Sequence, residues 1–317
     1  MKIPNFESLF VDSKRALIGV SGGADSMALL HMIQTQRKFG NLSCEFKVLH
    51  VNHHISTESN TWAKLVSDYC DSIDMPCEVV DVDITQWGNN LEQAARRSRY
   101  DAFAKQDCDT IGLAHHSNDQ IETFFLKLFR GAGPKGLRCM TESSPCWFDM
   151  SKQVIRPLLN HSKIQLEEYV AQHGVPFVTD PSNADNAYNR NWIRNCLMPT
   201  IQARDEIADI NILKVVRIQS EAYELMNDLA EMDLAAVSLG GGDLDWSMLK
   251  TYSHRRIKNL IMYICTQYNL MDVSIHNVET FSRGLTVADE DSRNELRLKN
   301  FRMYKVGKRI VIDSNFV

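Results

Sequence analysis

Paired cysteines are missing from this chain. Its eight cysteines stand at 44, 70, 77, 108, 139, 146, 196 and 265, with no C-x-x-C among them. That removes the common signature of a zinc site, an iron–sulfur cluster or a redox dithiol, so the thiols read as reduced core residues. Long apolar runs are missing as well: nothing approaches the roughly 20 residues that cross a bilayer. The N-terminal MKIPNFESLFVDSKR has a proline and acids where an export signal needs unbroken apolar sequence. The expectation is a cytoplasmic chain with no membrane partner. There is no excess of positive charge, since 35 Lys and Arg face 40 Asp and Glu for a formal net charge of −5. A polyanion partner would have to be met by local basic clusters. Repeats and low-complexity tracts are also absent, and the glycine turn after the first strand is neither a Walker A motif nor G-x-G-x-x-G.

What remains is a globular composition, 44% hydrophobic and 24% charged over 317 residues, long enough for two or three domains. Short β-branched runs alternate with longer helical ones: RALIGV then SMALLHMIQTQ, EFKVLHVNH then TWAKLVSDYCDSI, CEVVDVDI then NLEQAARRSRYDAFAKQ, TIGLAH then NDQIETFFLKLF. This order predicts an α/β domain with a parallel sheet and helices on both faces. Ligands of such sheets bind at the carboxyl ends of strands, near the point where strand order reverses. The candidate positions are Ser21, Asn52, Thr85 and His115.

The pattern turns irregular from 131 to 204, with GAGPKG, a strand at Val154 and Ile155, a helix opened by a Ser162/Gln165 capping box, and TDPSN. Residues 205 to 236 read as one long helix, broken by LGGGD. The expected division is a catalytic domain over 1–204, a helical linker over 205–239 and a small α+β domain over 240–317.

The turn after the first strand, Ser21-Gly22-Gly23-Ala24-Asp25-Ser26, precedes a helix whose unpaired amides and dipole attract phosphate. A bare S-G-G is more often an ordinary turn; its setting, with Asp25 and Ser26, points to a nucleotide. The string resembles the S-G-G-x-D-S loop of the ATP pyrophosphatase (PP-loop) superfamily, whose members cleave ATP between its α- and β-phosphates. The resemblance implies ATP as substrate, held by Ser21, Gly22, Gly23, Ala24, Asp25 and Ser26, with Asp25 helping to carry Mg2+.

Further strings narrow the family. NLEQAARRSRY (90–100), AHHSNDQIET (114–123), HVNH (50–53), RGAGPKGLRCM (130–140), RPLL (156–159) and TDPSNADNAYNRNWIR (179–194) resemble, in order, segments of the bacterial tRNA(Ile)-lysidine synthase family. Asn90, Glu92, Arg96, Arg99 and Tyr100 fall on the first of those patterns. Two positions depart: Asn118 stands for the family's usual aspartate and His54 for its usual glycine, the latter implying a differently shaped loop. The resemblance implies a carbon–nitrogen ligase that uses ATP to adenylate C2 of the wobble cytidine in a tRNA(Ile) with a CAU anticodon. L-lysine then displaces AMP to give lysidine. A PP-loop tRNA thiolation enzyme and a non-catalytic RNA-binding protein are the alternatives. The family's longer members carry a further C-terminal domain, so fewer acceptor-stem contacts are expected of a chain ending at Val317. Oligomeric state stays open, a homodimer included.

Side-chain roles follow from chemistry. Ser117 with Gln120 reads as a capping box that starts a helix at the strand's carboxyl end, so Asp119 and Glu122 share its first turn. Acids are common there for the helix dipole alone. Beside His115 and His116 they suit the lysine ε-amine, holding its ammonium and then taking a proton. Catalysis is thus assigned to Asp25, Arg96, Asp119 and Glu122, and lysine binding to the last two. Adjacent histidines on a strand point to opposite sides, so one of the pair is structural. Arg96 and Arg99 are open to either phosphate or tRNA contact, and Arg97 to solvent. The tRNA-binding set is Arg99, Arg130, Lys135, Arg190, Arg194, Arg297, Lys299 and Arg302. The last three lie in RNELRLKNFRMYKVGKR (293–309), seven basic residues against Glu295. There Arg297, Lys299 and Lys305 are expected on one cationic strand face, with a charged protected edge as the plain alternative.

Overall fold

The computed structural model describes residues 3–40, 42–83, 91–270 and 273–314, without the side chains of Leu91 and Glu92. Thr85 and Asn90 lie outside the described residues, as does the side chain of Glu92. The chain forms two compact units, Met1–Ile218 and Gln219–Val317.

Unit 1 begins with a short helix α1 (Phe6–Leu9), followed by β1 (Arg15–Gly19), α2 (Ala24–Lys38), β2 (Glu45–Asn52), α3 (Ser59–Ser72), β3 (Cys77–Asp81), α4 (Leu91–Ala104), β4 (Thr110–Gly112) and α5 (Ser117–Leu128). After α6 (Pro134–Leu137) come β5 (Ser143–Pro145), β6 (Gln153–Ile155) and α7 (Lys163–Gln172), then α8 (Asn189–Trp192), α9 (Met198–Gln202) and the start of the long α10 (Ala208–Val237). The sheet order is β3-β2-β1-β4-β6-β5, parallel except for β5 against β6. The chain winds outward from β1 through β2 to β3 and then returns to β4 on the other side of β1. The order therefore reverses between β1 and β4, and their carboxyl ends are the favoured place for a ligand.

Strand alternation divides the core. Ala16, Ile18 and Val20 join one cluster with α2, α3 and α7, while Leu17, Leu49 and Ile111 join another with Tyr100 and Phe103 of α4. Helices thus cover both faces, as the βα alternation predicts. In α2, Met27, Leu29, Leu30, Met32 and Ile33 are fully enclosed. At about 1.5–3 kcal/mol gross per side chain, this burial anchors the helix that follows the Ser21–Ser26 turn.

Helix α10 starts at Ala208, three residues later than the sequence reading, because the Asp205 carboxylate accepts the Ile207 amide in a preceding turn at 3.1 Å. Unit 2 holds the rest of α10, a hairpin of β7 (Ser238–Gly240) and β8 (Asp243–Asp245), helices α11 (Trp246–Leu249), α12 (His254–Gln267) and α13 (Ile275–Val287), and strands β9 (Glu295–Leu298), β10 (Phe301–Val306) and β11 (Arg309–Asp313). Its antiparallel sheet runs β7-β8-β11-β10-β9 and packs on its own core, including Trp246, Ile261, Phe281 and Met303. This is the expected smaller α+β fold.

Candidate active site

At the end of β1 the chain stays extended through Val20, whose amide donates to Leu49 O at 3.0 Å, before turning into α2. Gly22 takes φ 91°, and a Cβ there would stand 3.3 Å from a Val178 methyl and 3.4 Å from one of Val66. Only glycine fits without strain. The Ser26 hydroxyl donates to Gly23 O at 2.9 Å and accepts the Ser21 amide at 3.2 Å, which closes the loop on itself. Val178 donates its amide to Gly22 O at 2.9 Å, tying the segment 179–184 beside the loop. The N-cap, Gly23, brings no capping side chain, so the first amides of α2 face whatever lies ahead of them.

The second loop follows β4. Its helix cap is His116 rather than Ser117. His116 keeps an extended backbone (φ −128°), and Asp119 Oδ2 accepts its amide at 2.9 Å. A carboxylate is the stronger acceptor for that amide, so the box closes one residue earlier than expected. Gln120, the residue expected to cap, instead holds both backbone groups of Met140. Asn118, the departure from the family pattern, accepts the Lys163 amide at 3.0 Å and so fixes the start of α7.

Strand β4 ends at Gly112, so the two histidines do not alternate on a strand as expected, and both take part in the contacts of the site. His115 lines the cavity described below, its Nδ1 buried without a partner, and burial drives its pKa down to about 3. His116 sits between acids, its Nε2 3.5 Å from Asp25 Oδ2 and 3.6 Å from Asp119 Oδ2. Burial opposes charge on His116, but the bond to Asp25 and the charges of Asp119, Asp25 and Glu122 outweigh it and raise the pKa. Asp119 is pushed upward by burial, yet His116 and Arg190 bring its net shift below the usual carboxylate value.

Behind this layer Glu122, 2% exposed, receives Arg190 Nε at 2.6 Å and Arg194 Nε at 2.7 Å, while Arg190 Nη2 reaches Asp119 Oδ1 at 3.1 Å. The two arginines stand four apart where α8 passes into a π-helical turn over Ile193–Leu197, which puts them on one side. Asp119 and Glu122 do share a face, and that face is occupied by guanidinium groups. The sequence offered no sign of this pairing, because the partners lie about 70 positions apart.

A cavity of about 740 Å³ opens at the reversal of strand order, lined by Ser21, Asp25, Ser26, Arg96, Arg99, His115 and Arg190 among others. Arg96 also lies 5.0 Å from the Tyr100 ring centroid. Desolvation, then the charges of Arg96 and Arg190, lowers the pKa of Arg99, as expected where cations gather. Asn52, His53, Asp180, Ser182 and Tyr188 complete much of the wall. Sequence reasoning made Asn52 a strand-end candidate and assigned the other four no role, although the HVNH and TDPSN strings contain three of them. His53 is depressed to about 4, mainly by burial and then by Arg99, and is therefore a neutral ring. His54 takes the left-handed backbone (φ 51°) that glycine adopts freely, and its Nε2 meets Asp81 Oδ1 at 2.8 Å. That contact offsets part of the roughly 1–2 kcal/mol cost of the conformation.

Other predicted residues stand elsewhere. Arg130 and Lys135 are exposed, in the turn after α5 and on α6, and neither lines the cavity. In unit 2, Arg297 and Lys299 are exposed, but Arg302 is engaged by Asp313 at 3.0 Å and lies 4.4 Å from the Tyr304 ring centroid. Lys305 is a correction to the expected cationic face. Alternation along β10 sends it inward with Phe301 and Met303, to 3% exposure, where Nζ donates to Glu290 O at 2.9 Å and lies over the Trp246 ring. Among the described residues no three His, Cys, Asp or Glu gather as a metal site, and no helix is long and apolar enough to cross a membrane.

Comparison with known proteins agrees with this geometry. Residues 2–201 match the PP-loop domain family. The tRNA(Ile)-lysidine synthase of Neisseria meningitidis serogroup B is 31% identical over 302 residues, covering 95% of this chain and 69% of that protein. Those of Nitrosomonas europaea and Haemophilus influenzae strain Rd are 34% and 38% identical, over 80% and 67% of this chain and 55% and 50% of their own lengths. Among solved structures, the U34-tRNA thiolase NcsA of Methanococcus maripaludis aligns with TM-score 0.51 and 14% identity over 66% of this chain and 73% of its own, a likeness of fold. With the loop, the strand reversal and the two-unit match all present, the chain belongs to the PP-loop family and, within it, to the tRNA(Ile)-lysidine synthases.

Proposed function

We propose that the protein is an ATP-dependent ligase that attaches L-lysine to C2 of the wobble cytidine of a tRNA(Ile) with a CAU anticodon. The observation that carries this reading is the meeting, at one strand reversal, of the Ser21–Ser26 loop and three cavity arginines, one of which, Arg190, is backed by Asp119 and Glu122, acids that do not themselves line the cavity. An anion site and an acid pair suited to an amine then stand side by side.

In the first step the C2 carbonyl oxygen attacks the α-phosphorus of ATP, and the α–β phosphoanhydride bond breaks to release pyrophosphate. The amides and hydroxyls of residues 21–26 hold the departing phosphates, and Arg96, Arg99 and Arg190 offset the charge that develops. Asp25 Oδ1 is buried without a partner, which fits a cation ligand. Mg2+ would be held there by Asp25 and phosphate oxygens, since this ion is commonly bound through one or two carboxylates and substrate phosphates. Its charge would neutralise the leaving pyrophosphate.

In the second step the lysine ε-ammonium displaces Arg190 from Asp119, the longer of that arginine's two contacts, while Glu122 stays bound to Arg194. A proton passes to Asp119, the free amine bonds to C2, and the C–O bond to AMP breaks. In this reading residues 1–204 carry the chemistry, 205–239 form the linking helix and 240–317 bind tRNA. Incubation of an unmodified tRNA(Ile) transcript with ATP and lysine, followed by nucleoside mass spectrometry, tests the reading. A cytidine bearing lysine, with one pyrophosphate released per product, is expected. A sulfur-bearing nucleoside, or no change in mass, would overturn it.

A further inference from the structure

The turn after α5 carries a feature that the cavity does not use. Phe129 caps that helix at 61% exposure, next to Leu128 at 43%, and Trp192 of α8 is 41% exposed. The Phe129 ring centroid lies 6.5 Å from that of Trp192 and 5.8 Å from that of Phe125. Single exposed apolar residues are ordinary, whereas three large ones contributed by two elements at one corner form a patch.

Its frame is cationic. Residues 123–141 hold Lys127, Arg130, Lys135 and Arg138 and no acid, whereas Arg190 and Arg194 of the neighbouring segment are already paired with Glu122 and Asp119 and are not part of it. Gly131 and Gly133, in the same turn, would meet nothing within 4 Å if given a Cβ, so a chain can pass close to this backbone. The patch also adjoins the cavity wall. Arg190 and Asn191 line the cavity, and Trp192 follows at once. Helical residues two apart point to different sides, so the indole faces outward from a backbone that borders the cavity.

Aromatic faces inside a cationic frame suit unpaired nucleotides, whose bases stack while their phosphates meet the charges. We infer that Phe129 and Trp192 are a stacking platform for the single-stranded bases that flank the nucleotide entering the cavity. This rests on the RNA reading above and names the surface that splays the loop around its target.

The test compares wild type with the Phe129→Ala/Trp192→Ala double variant for binding of an anticodon stem-loop RNA with a CAU loop. The dissociation constant should rise at least tenfold. The dependence of log affinity on log salt should stay as it was, because stacking releases no counterions. A Phe129→Tyr/Trp192→Tyr variant should restore most of the affinity. ATP affinity should not change, since neither ring lines the cavity, and this verifies folding. If wild type binds and lysylates the RNA while the alanine variant binds it equally well, the platform is refuted and the function stands. If wild type binds no RNA, the functional reading itself has failed. Self-association of wild type that is lost in an RNA-competent variant would make the patch a contact between copies and overturn the inference.

Discussion

Replacing Glu122 by glutamine keeps the volume of the side chain and removes its charge from beneath two arginines. Glu122 is 2% exposed and accepts Arg190 Nε at 2.6 Å and Arg194 Nε at 2.7 Å. Glutamine has one carbonyl oxygen and one amino group, so one guanidinium faces a donor and loses its bond. The other guanidinium still donates its bond, now to a neutral amide oxygen instead of a carboxylate, and keeps only part of its strength. Charge-assisted bonds contribute about 1.5–3 kcal/mol each. Both arginine side chains are 26% exposed and partly rehydrate, so a loss of about 2–3 kcal/mol is expected. Native-state hydrogen exchange at amides of α5 and of residues 189–202 should then quicken by roughly 30- to 150-fold. Pyrophosphate release should remain measurable, because the 21–26 loop is untouched, while lysine transfer should fall at least tenfold as Arg190 loses its anchor. Exchange within twofold of wild type would show that these ion pairs add nothing to stability. Undiminished lysine transfer would remove the acid pair from the mechanism.

Asp25→Ala should abolish pyrophosphate release without unfolding the protein, and the loss of the Asp25 contact to His116 at 3.5 Å should lower thermal stability modestly; near-normal ATP turnover would contradict the assignment. For His115 the native pKa lies near 3 against an ordinary 6.5, so between those values the unfolded chain binds the extra proton. Its contribution is complete above pH 6.5 and is lost as pH falls through that window, at up to about 1.4 kcal/mol per pH unit. His115→Asn should flatten the acid side of a urea-stability profile, and an unchanged slope would refute a buried neutral ring. His116, whose pKa is raised, behaves in the opposite sense: its contribution is complete below 6.5 and is lost as pH rises through the native value. In unit 2, Arg297→Ala with Lys299→Ala should reduce the salt slope of tRNA binding by about two. Adding Arg302→Ala should change it little more, since Asp313 already engages that arginine; an unchanged slope in the double variant would make this face ordinary surface.

The parallel sheet, the glycine turn entering α2, the capping box of α7 and the smaller α+β unit were legible in the sequence because each is a local decision. Hydrophobic period selects helix or strand, and Gly22 is required wherever φ is positive beside two valine methyls. Helix α10 shifted by three residues and the α5 cap by one, because competing carboxylates at Asp205 and Asp119 decide those boundaries within single turns. Tertiary structure alone joined Arg190 and Arg194 to Glu122, brought Asp180 and Tyr188 into the cavity at the strand reversal, and buried Lys305 against Trp246. Period 2 could have assigned Lys305 to the inner face with Phe301 and Met303, but a lysine at an inward position reads as a contradiction until a carbonyl and an aromatic ring are there to receive it. Charge counted along a chain records how many cations there are. Which of them are free for RNA depends on carboxylates that the fold brings from distant positions, a nonlocal pairing that composition and spacing do not encode.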